Sequence, residues 1–348
     1  MSKKISNLVS HQMFLPVFCL ILVMIFNIFF GQSNFFKITI QNGVLYGYLI
    51  DVINRASELV ILAMGMTLVV ASSAGTDISV GAVACVAGGL CCLVLNPHDD
   101  AYHYASPYIL ALLAGMGGGI LCGAFNGFLV AKMKIQPMVA TLILFSAGRG
   151  IAQLLSNGLN IYINVEQFKY LGNFIPGVPL PTPVFIAALV VFLTWLVLRK
   201  TALGLYVEAV GINKRAGRLV GINSELVIFL TYVFCGLCAS IAGLIIVSRV
   251  HLIDANNAGL NMEMDAILAV AIGGNSLAGG KFSLAGSVVG ALTIQALTTS
   301  LYAMNVTADQ LPIYKAVVVV IIVSLQSTGF KRWLTDIRRK HELKAEAA

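Results

Sequence analysis

Apolar residues run along this chain in long stretches, mostly close to 20 residues, broken by short clusters of charge, Pro or Gly instead of alternating with polar positions. Roughly 20 residues at 1.5 Å per residue make a helix that crosses about 30 Å of hydrocarbon. Read for apolar length and breaks, the sequence predicts ten such helices: 13–31, 56–74, 79–95, 107–130, 137–156, 182–198, 225–248, 264–275, 284–304 and 312–328. The predicted fold class is all-α integral membrane. No segment is long or polar enough to form a soluble domain, so 1–348 reads as one transmembrane unit.

Composition agrees with this pattern. Of 348 residues, 58% are apolar and 11% charged, more apolar surface than soluble packing hides, which excludes a soluble enzyme. The net charge of +7 would point to nucleic acid in a soluble protein, but here the cations sort by side. With residues 1–12 in the cytoplasm, Lys3, Lys4, Lys132, Lys134, Arg199, Lys200, Lys214, Arg215, Arg218, Lys281 and the cations of a 329–348 tail share that side. Asp99, Asp100, Glu166, Asp254 and Asp309 fall in the opposite loops. Both termini are therefore expected to be cytoplasmic, with lipid and not nucleic acid as the surroundings. Lys3 and Lys4 ahead of 13–31 mimic a signal peptide, but no small-x-small site follows, so the run reads as a retained first helix.

Candidate chemistry is sparse. Cys19, Cys85, Cys91, Cys92, Cys122, Cys235 and Cys238 all lie in apolar runs, where a thiol behaves as a small hydrophobe, and Cys235-x-x-Cys238 reads as helix packing. No histidine cluster suggests catalysis or a metal. Gly274 to Gly279 has the spacing of a phosphate loop, but Gly280 stands where Lys is required and Phe282 follows Lys281. Energy from ATP would have to come from a partner.

Two places interrupt the spans without forming a loop. One is Ala74-Gly-Thr-Asp77-Ile-Ser79-Val-Gly81, the other Gly273-Gly-Asn-Ser-Leu-Ala-Gly-Gly-Lys281. Ser79-Val-Gly81-Ala-Val83 weakly echoes Ser287-Val-Val-Gly290-Ala-Leu292, which predicts broken helices lining a polar path, with an inverted repeat as a further expectation. Arg149, between Gly148 and Gly150, is a cation inside a span; it must face a polar path, or pair with a carboxylate or backbone carbonyls. Glu58, Glu263 and Asp265 lie near predicted span ends, where interfacial solvation is the simpler account. Gly115, Gly119, Gly123 and Gly127 lay a smooth stripe on one helix, for close packing within the subunit or against a second one. In the 199–224 connection, two short helical stretches at 205–210 and 216–220 flank Gly211-Ile-Asn213. They are too apolar for a free loop and read as a docking segment, or as a helix lying on lipid.

These motifs resemble permease subunits of bacterial ABC sugar importers, the family taking up ribose, xylose, arabinose, galactose-type and furanose sugars. Asp77-Ile-Ser-Val-Gly81, Asn126-Gly127, Ile135-Gln-Pro-Met-Val-Ala-Thr141, Thr201-Ala-Leu-Gly204 through Gly221, and Glu263-Met-Asp265-Ala-Ile through Gly280 carry the likeness from about Asn54 to Gln326. Lys134 through Leu144, Glu208-Ala-Val-Gly-Ile-Asn213 and Asp254-Ala-Asn-Asn-Ala-Gly-Leu260 look most like a permease of a galactofuranose importer.

The resemblance implies a type II importer-like permease of ten helices in the bacterial inner membrane. It implies as partners a second permease that is a different paralogue, an ATPase that uses ATP and Mg, and a periplasmic sugar-binding protein. It implies no bound cofactor or metal and no chemical change to the sugar. The path is expected near Asp77, Ser79, Asn126, Thr141 and Arg149, and ATPase coupling at Glu208, Gly211, Asn213, Arg218 and Gly221. Ribose or another pentose or hexose remains the second choice of cargo, and an ion-coupled carrier the third reading. One departure is an apparent extra residue in Ser72-Ser-Ala-Gly-Thr-Asp77, which bears on how Asp77 is oriented.

Overall fold

Hydrocarbon offers no hydrogen-bond partner to a backbone, so each apolar run must satisfy its own amides and carbonyls as helix. The computed structural model describes residues 13–30, 35–41, 43–97 and 102–326. The N-terminal segment 1–12 and the 329–348 tail, both expected in the cytoplasm, lie outside the described residues.

Along the chain come α1 (Phe14–Phe30), a hairpin of β1 (Thr39–Gln41) and β2 (Val44–Tyr46), α2 (Tyr48–Ser73), α3 (Val80–Leu95), α4 (Tyr108–Gly127) and α5 (Pro137–Leu155). Then follow β3 (Ile161–Tyr162), α6 (Glu166–Lys169), α7 (Thr182–Lys200), α8 (Leu203–Ile212), α9 (Lys214–Leu219), α10 (Ser224–Val250) and β4 (Leu252–Ile253). α11 (Met262–Ile272), α12 (Leu284–Ala303) and α13 (Leu311–Gln326) complete the order. α4 runs on through a π-helical turn, Phe128–Lys132. β1 pairs antiparallel with β2, Ile40 opposite Leu45, and β3 with β4, Ile161 opposite Ile253.

Each of the ten predicted spans falls on a helix, but not every helix is a full span. Among the described residues six are long and apolar enough to cross: α2, α4 with its π-helical turn, α5, α7, α10 and α12. The segment expected at 264–275 is only the 11-residue α11, about 16 Å or half a membrane. α2 begins at Tyr48, two turns before the predicted start at 56; Asp51 and Arg55 in those turns are exposed, while Glu58, further along, is paired inside the protein. Arg249 Nη1 lies 2.6 Å from Glu58 Oε1, and Arg249 also donates to Asn54 Oδ1 at 3.1 Å. Glu58 is therefore buried in an ion pair, not solvated at an interface.

α2 is the centre of the bundle, buried from Ala56 to Ser73, with α10 and α12 against it. α4 reaches α10 through its glycines. A Cβ on Gly115 would meet Leu244 Cδ2 of α10 at 3.0 Å and Ala87 O of α3 at 2.7 Å, one on Gly119 would strike Ser240 Oγ, and one on Gly127 would meet Phe229 O at 3.0 Å. The stripe thus serves close packing inside this subunit, and the backbones approach because no side chain intervenes.

Candidate functional site

The first break, 74–79, begins where Ala74 turns left-handed (φ 55) and ends α2. Its backbone lies along the first turns of α5: a Cβ on Gly75 would meet Pro137 at 2.5 Å, and the Ile78 amide donates to Thr141 Oγ1 at 3.2 Å. Asp77 folds back onto Ser79, the residue just before α3. Its Oδ1 accepts from the Ser79 amide at 2.9 Å and from the Ser79 hydroxyl at 2.6 Å, and Asn126 Nδ2 donates to Ser79 Oγ at 2.8 Å. Asp77, Ser79, Asn126 and Thr141 are all buried. Four of the five expected path residues therefore form one cluster, in which Asn126 Oδ1 is left without a hydrogen-bond partner.

Arg149 lies eight residues beyond Thr141, about 12 Å further along α5. Its Nη1 donates to the carbonyls of Asn256 (3.3 Å) and Ala258 (3.2 Å), so the expectation of backbone carbonyl partners holds and no carboxylate joins it. Nε and Nη2 are buried and unpartnered. The 254–261 loop supplying those carbonyls brings Gly259 against Gly81 and then turns into α11. Glu263, expected at a solvated span end, is 2% exposed, with Oε2 unpartnered and packed over Gly81, whose missing side chain makes the room. Its neighbourhood is set by the half-length α11, which places a helix start inside the protein where hydropathy suggests a membrane boundary. The one signal for it in the sequence is its place in the Glu263-Met-Asp265 motif.

The second break, 273–283, is pinned by Asn275, which sequence reasoning passed over. Asn275 Nδ2 donates to Ser287 Oγ at 2.8 Å, its Oδ1 accepts from the Ser283 amide at 2.6 Å, and Ser287 Oγ meets Thr67 Oγ1 of α2 at 2.7 Å. The two breaks touch. The Gly280 amide donates to Ala71 O at 2.9 Å, and a Cβ on Gly279 would meet Ala74 at 3.0 Å. α2 and α11 thus run into breaks that lie against each other. The two helices differ in length, 26 residues against 11. Asp265 is bonded to Lys315 of α13 at 2.7 Å, a second charge pair that local sequence did not signal.

α8 sits on this junction. At Gly211 there is no room for a side chain: a Cβ would strike Ala71 O and meet Gly280 N at 2.6 Å. Gly211 therefore faces the two breaks, not the outside. Asn213 caps α9, its Oδ1 accepting from the Arg215 and Ala216 amides at 3.0 and 3.1 Å. Arg218 Nη2 bonds Glu225 Oε1 at 2.9 Å, Gly221 makes a left-handed turn (φ 86), and Glu208 is half-buried. The outward surface is carried by apolar side chains outside the expected set: Leu205, Ile212, Val220 and Leu219, the last 89% exposed. Beside them a groove of about 380 Å³ is lined by Lys134, Lys214, Arg215, Arg218 and Glu225, where burial and then the neighbouring Arg218 push the Lys214 ammonium below its ordinary range. No group of three or more metal-ligating side chains occurs among the described residues.

The family model described as the permease component of branched-chain amino acid transport systems matches residues 48–325. The galactofuranose transporter permease protein YtfT of Escherichia coli is 46% identical over 307 residues, 88% of this chain and 87% of that one. The fructose import permease protein FruF of Bifidobacterium longum is 38% identical over 94% of this chain and 91% of its own length. The ribose import permease protein RbsC of Escherichia coli is 36% identical over 84% of this chain and 87% of its own. No solved structure matches.

Proposed function

Given that the chain belongs to this permease-component family, on its ABC sugar-importer branch, we propose that its cargo is a furanose sugar and that galactofuranose is the first choice. The chain is a multi-pass membrane subunit. In this reading ten helices cross or enter the bacterial inner membrane, with both termini cytoplasmic, and a second, different permease completes the path. A periplasmic binding protein delivers the sugar, and a cytoplasmic ATPase supplies ATP hydrolysis with its own Mg. This chain contributes no catalysis and no cofactor.

The observation that carries the proposal is the meeting of two broken helices directly under α8. A docking segment that moves would move both breaks, and with them the Asp77, Ser79, Asn126 and Thr141 cluster beside the first and Arg149 above it. Apolar Leu205, Ile212, Leu219 and Val220, next to a cationic groove, suit an ATPase surface with an apolar pocket and acidic rim. Within the segment, Glu208, Arg218 and the 211–221 backbone shape that surface. Galactofuranose is preferred over ribose because the likeness is 46% against 36% over comparable lengths.

The test is deletion of the gene in its host, followed by uptake of labelled D-galactose, D-ribose and D-fructose, with mass spectrometry of what co-purifies with the tagged chain. Loss of galactose uptake that the gene restores, with an ATPase and a second permease recovered, is expected. Loss of ribose uptake alone would replace the cargo; an intact complex with no ATPase would refute the importer reading.

A further inference from the structure

Glu263, buried, and Arg149, half-buried, are charges of opposite sign that reach one region, Glu263 against Gly81 and Gly259 and Arg149 on the Ala258 carbonyl, yet they are not joined. The ion pairs among the described residues are Lys169–Glu166, Arg218–Glu225, Arg249–Glu58 and Lys315–Asp265. Arg149 spends only Nη1, on two carbonyls at 3.2 and 3.3 Å, and keeps Nε and Nη2 buried without acceptors. Glu263 keeps Oε2 buried without a donor. Unmet hydrogen bonds on buried charges are costly, and folded proteins rarely leave them. Below them, beyond Gly81, Asn126 Oδ1 is a further unmet acceptor.

The unused capacity is two donors on a cation and one acceptor on an anion. A free anion would suit Arg149 but meet the Glu263 carboxylate, and a free cation would meet the reverse. A hydroxyl suits both, donating to Glu263 Oε2 while accepting from Arg149. We infer that Arg149 and Glu263 form a clamp for a hydroxyl of the passing neutral sugar, with Asn126 Oδ1 receiving a second hydroxyl as the sugar moves toward the Asp77 cluster. Two features of the surroundings fit transit. The guanidinium is held by the 254–261 loop, where Gln153 Nε2 also donates to Asn256 Oδ1 at 2.8 Å, and the carboxylate stands on the half-length α11, whose far end is the second break. A sugar held between them therefore touches both a fixed span and an element bonded to α2. The inference rests on the importer reading and adds Glu263 as a binding residue.

The test is uptake in the deletion host carrying the wild-type gene, Glu263→Gln, Arg149→Lys or the double variant Glu263→Gln/Arg149→Met. Labelled D-galactose, D-ribose and D-fructose are supplied with their monodeoxy analogues, and rates are normalised to the amount of chain in the membrane and to co-purified partners. In wild type, the analogue lacking the clamped hydroxyl should be carried at least about tenfold less well than its parent below saturation, the scale of one hydrogen bond to a charged group. Glu263→Gln should lower uptake of the parent sugar by a similar factor and bring parent and analogue within twofold. The double variant should stay low. A buried pair with only a structural role would instead recover in the double variant, and unchanged discrimination between parent and analogue in Glu263→Gln would overturn the clamp. If Glu263→Gln does not reach the membrane, Glu263→Asp, which keeps the charge and retracts it, gives the same comparison. Failure of the wild-type gene to restore uptake of any of the three sugars would overturn the importer reading itself, whatever the variants do.

Discussion

Adding one methyl group at Gly211 should separate docking from transport. In Gly211→Ala the new Cβ would strike the Ala71 carbonyl and lie 2.6 Å from the Gly280 amide, where unstrained contacts begin near 3.4 Å. Relief requires α8 to withdraw by about 1.5 Å or the Gly280 to Ala71 hydrogen bond to break. Overpacking costs about 1–3 kcal/mol and the lost bond about 1 kcal/mol, so this arrangement of α8 and the breaks is disfavoured by about 2–4 kcal/mol. That shifts an equilibrium between two arrangements roughly 30- to 700-fold. Gly217→Ala is the control: six residues along the same segment, its Cβ would find nothing nearer than 3.8 Å, and alanine favours helix α9. Purified with its partners in nanodiscs, the Gly211→Ala complex should retain the ATPase but lose stimulation of hydrolysis by the loaded sugar receptor, and cells should lose at least about tenfold in uptake. Gly217→Ala should match wild type in both. Wild-type stimulation and uptake in Gly211→Ala, at normal abundance, would refute transmission through the contact of α8 with Ala71 and Gly280.

The remaining predictions concern charge and packing. Arg218→Glu should leave the fold unchanged, since an exposed pair with Glu225 contributes only about 0–1 kcal/mol, but should uncouple hydrolysis from uptake; recovery of coupling in Arg218→Glu/Glu225→Arg would show that the internal pair, and not a partner, needs the charge. Arg249→Met strands the buried Glu58 carboxylate and should lower stability in detergent by about 3–5 kcal/mol, measured as a shift in thermal unfolding, while adding Glu58→Met recovers most of it. On α4, Gly119→Ala drives a methyl into Ser240 and should cost about 1–3 kcal/mol by the same assay, whereas Gly117→Ala, two residues away with open space around it, should be neutral. Equal losses at 117 and 119 would place α10 elsewhere.

The sequence determined what depends on local length and composition. Hydropathy located a helix for every predicted span, Gly and short polar residues located both breaks, and the glycine stripe on α4 marked a face of close approach. The apolar and basic 199–224 segment also announced itself as short helices with a surface to cover. What it did not determine are the properties created by helices meeting. A charge inside the protein and one at a membrane boundary look alike in a hydropathy profile, because solvation depends on neighbours distant in sequence. Hence Glu58 and Arg249 found each other across 190 or so residues, Asp265 found Lys315, and Glu263 was buried by a loop that carries Gly259 to Gly81. The same reason separates Gly211 from its expected outward role: only the folded chain brings the Ala71 carbonyl and the Gly280 amide to one point, and only there does the absence of a side chain become a contact. Spans follow from the hydrophobic effect acting along the chain, whereas the polar site follows from which unmet donors and acceptors tertiary structure encloses together.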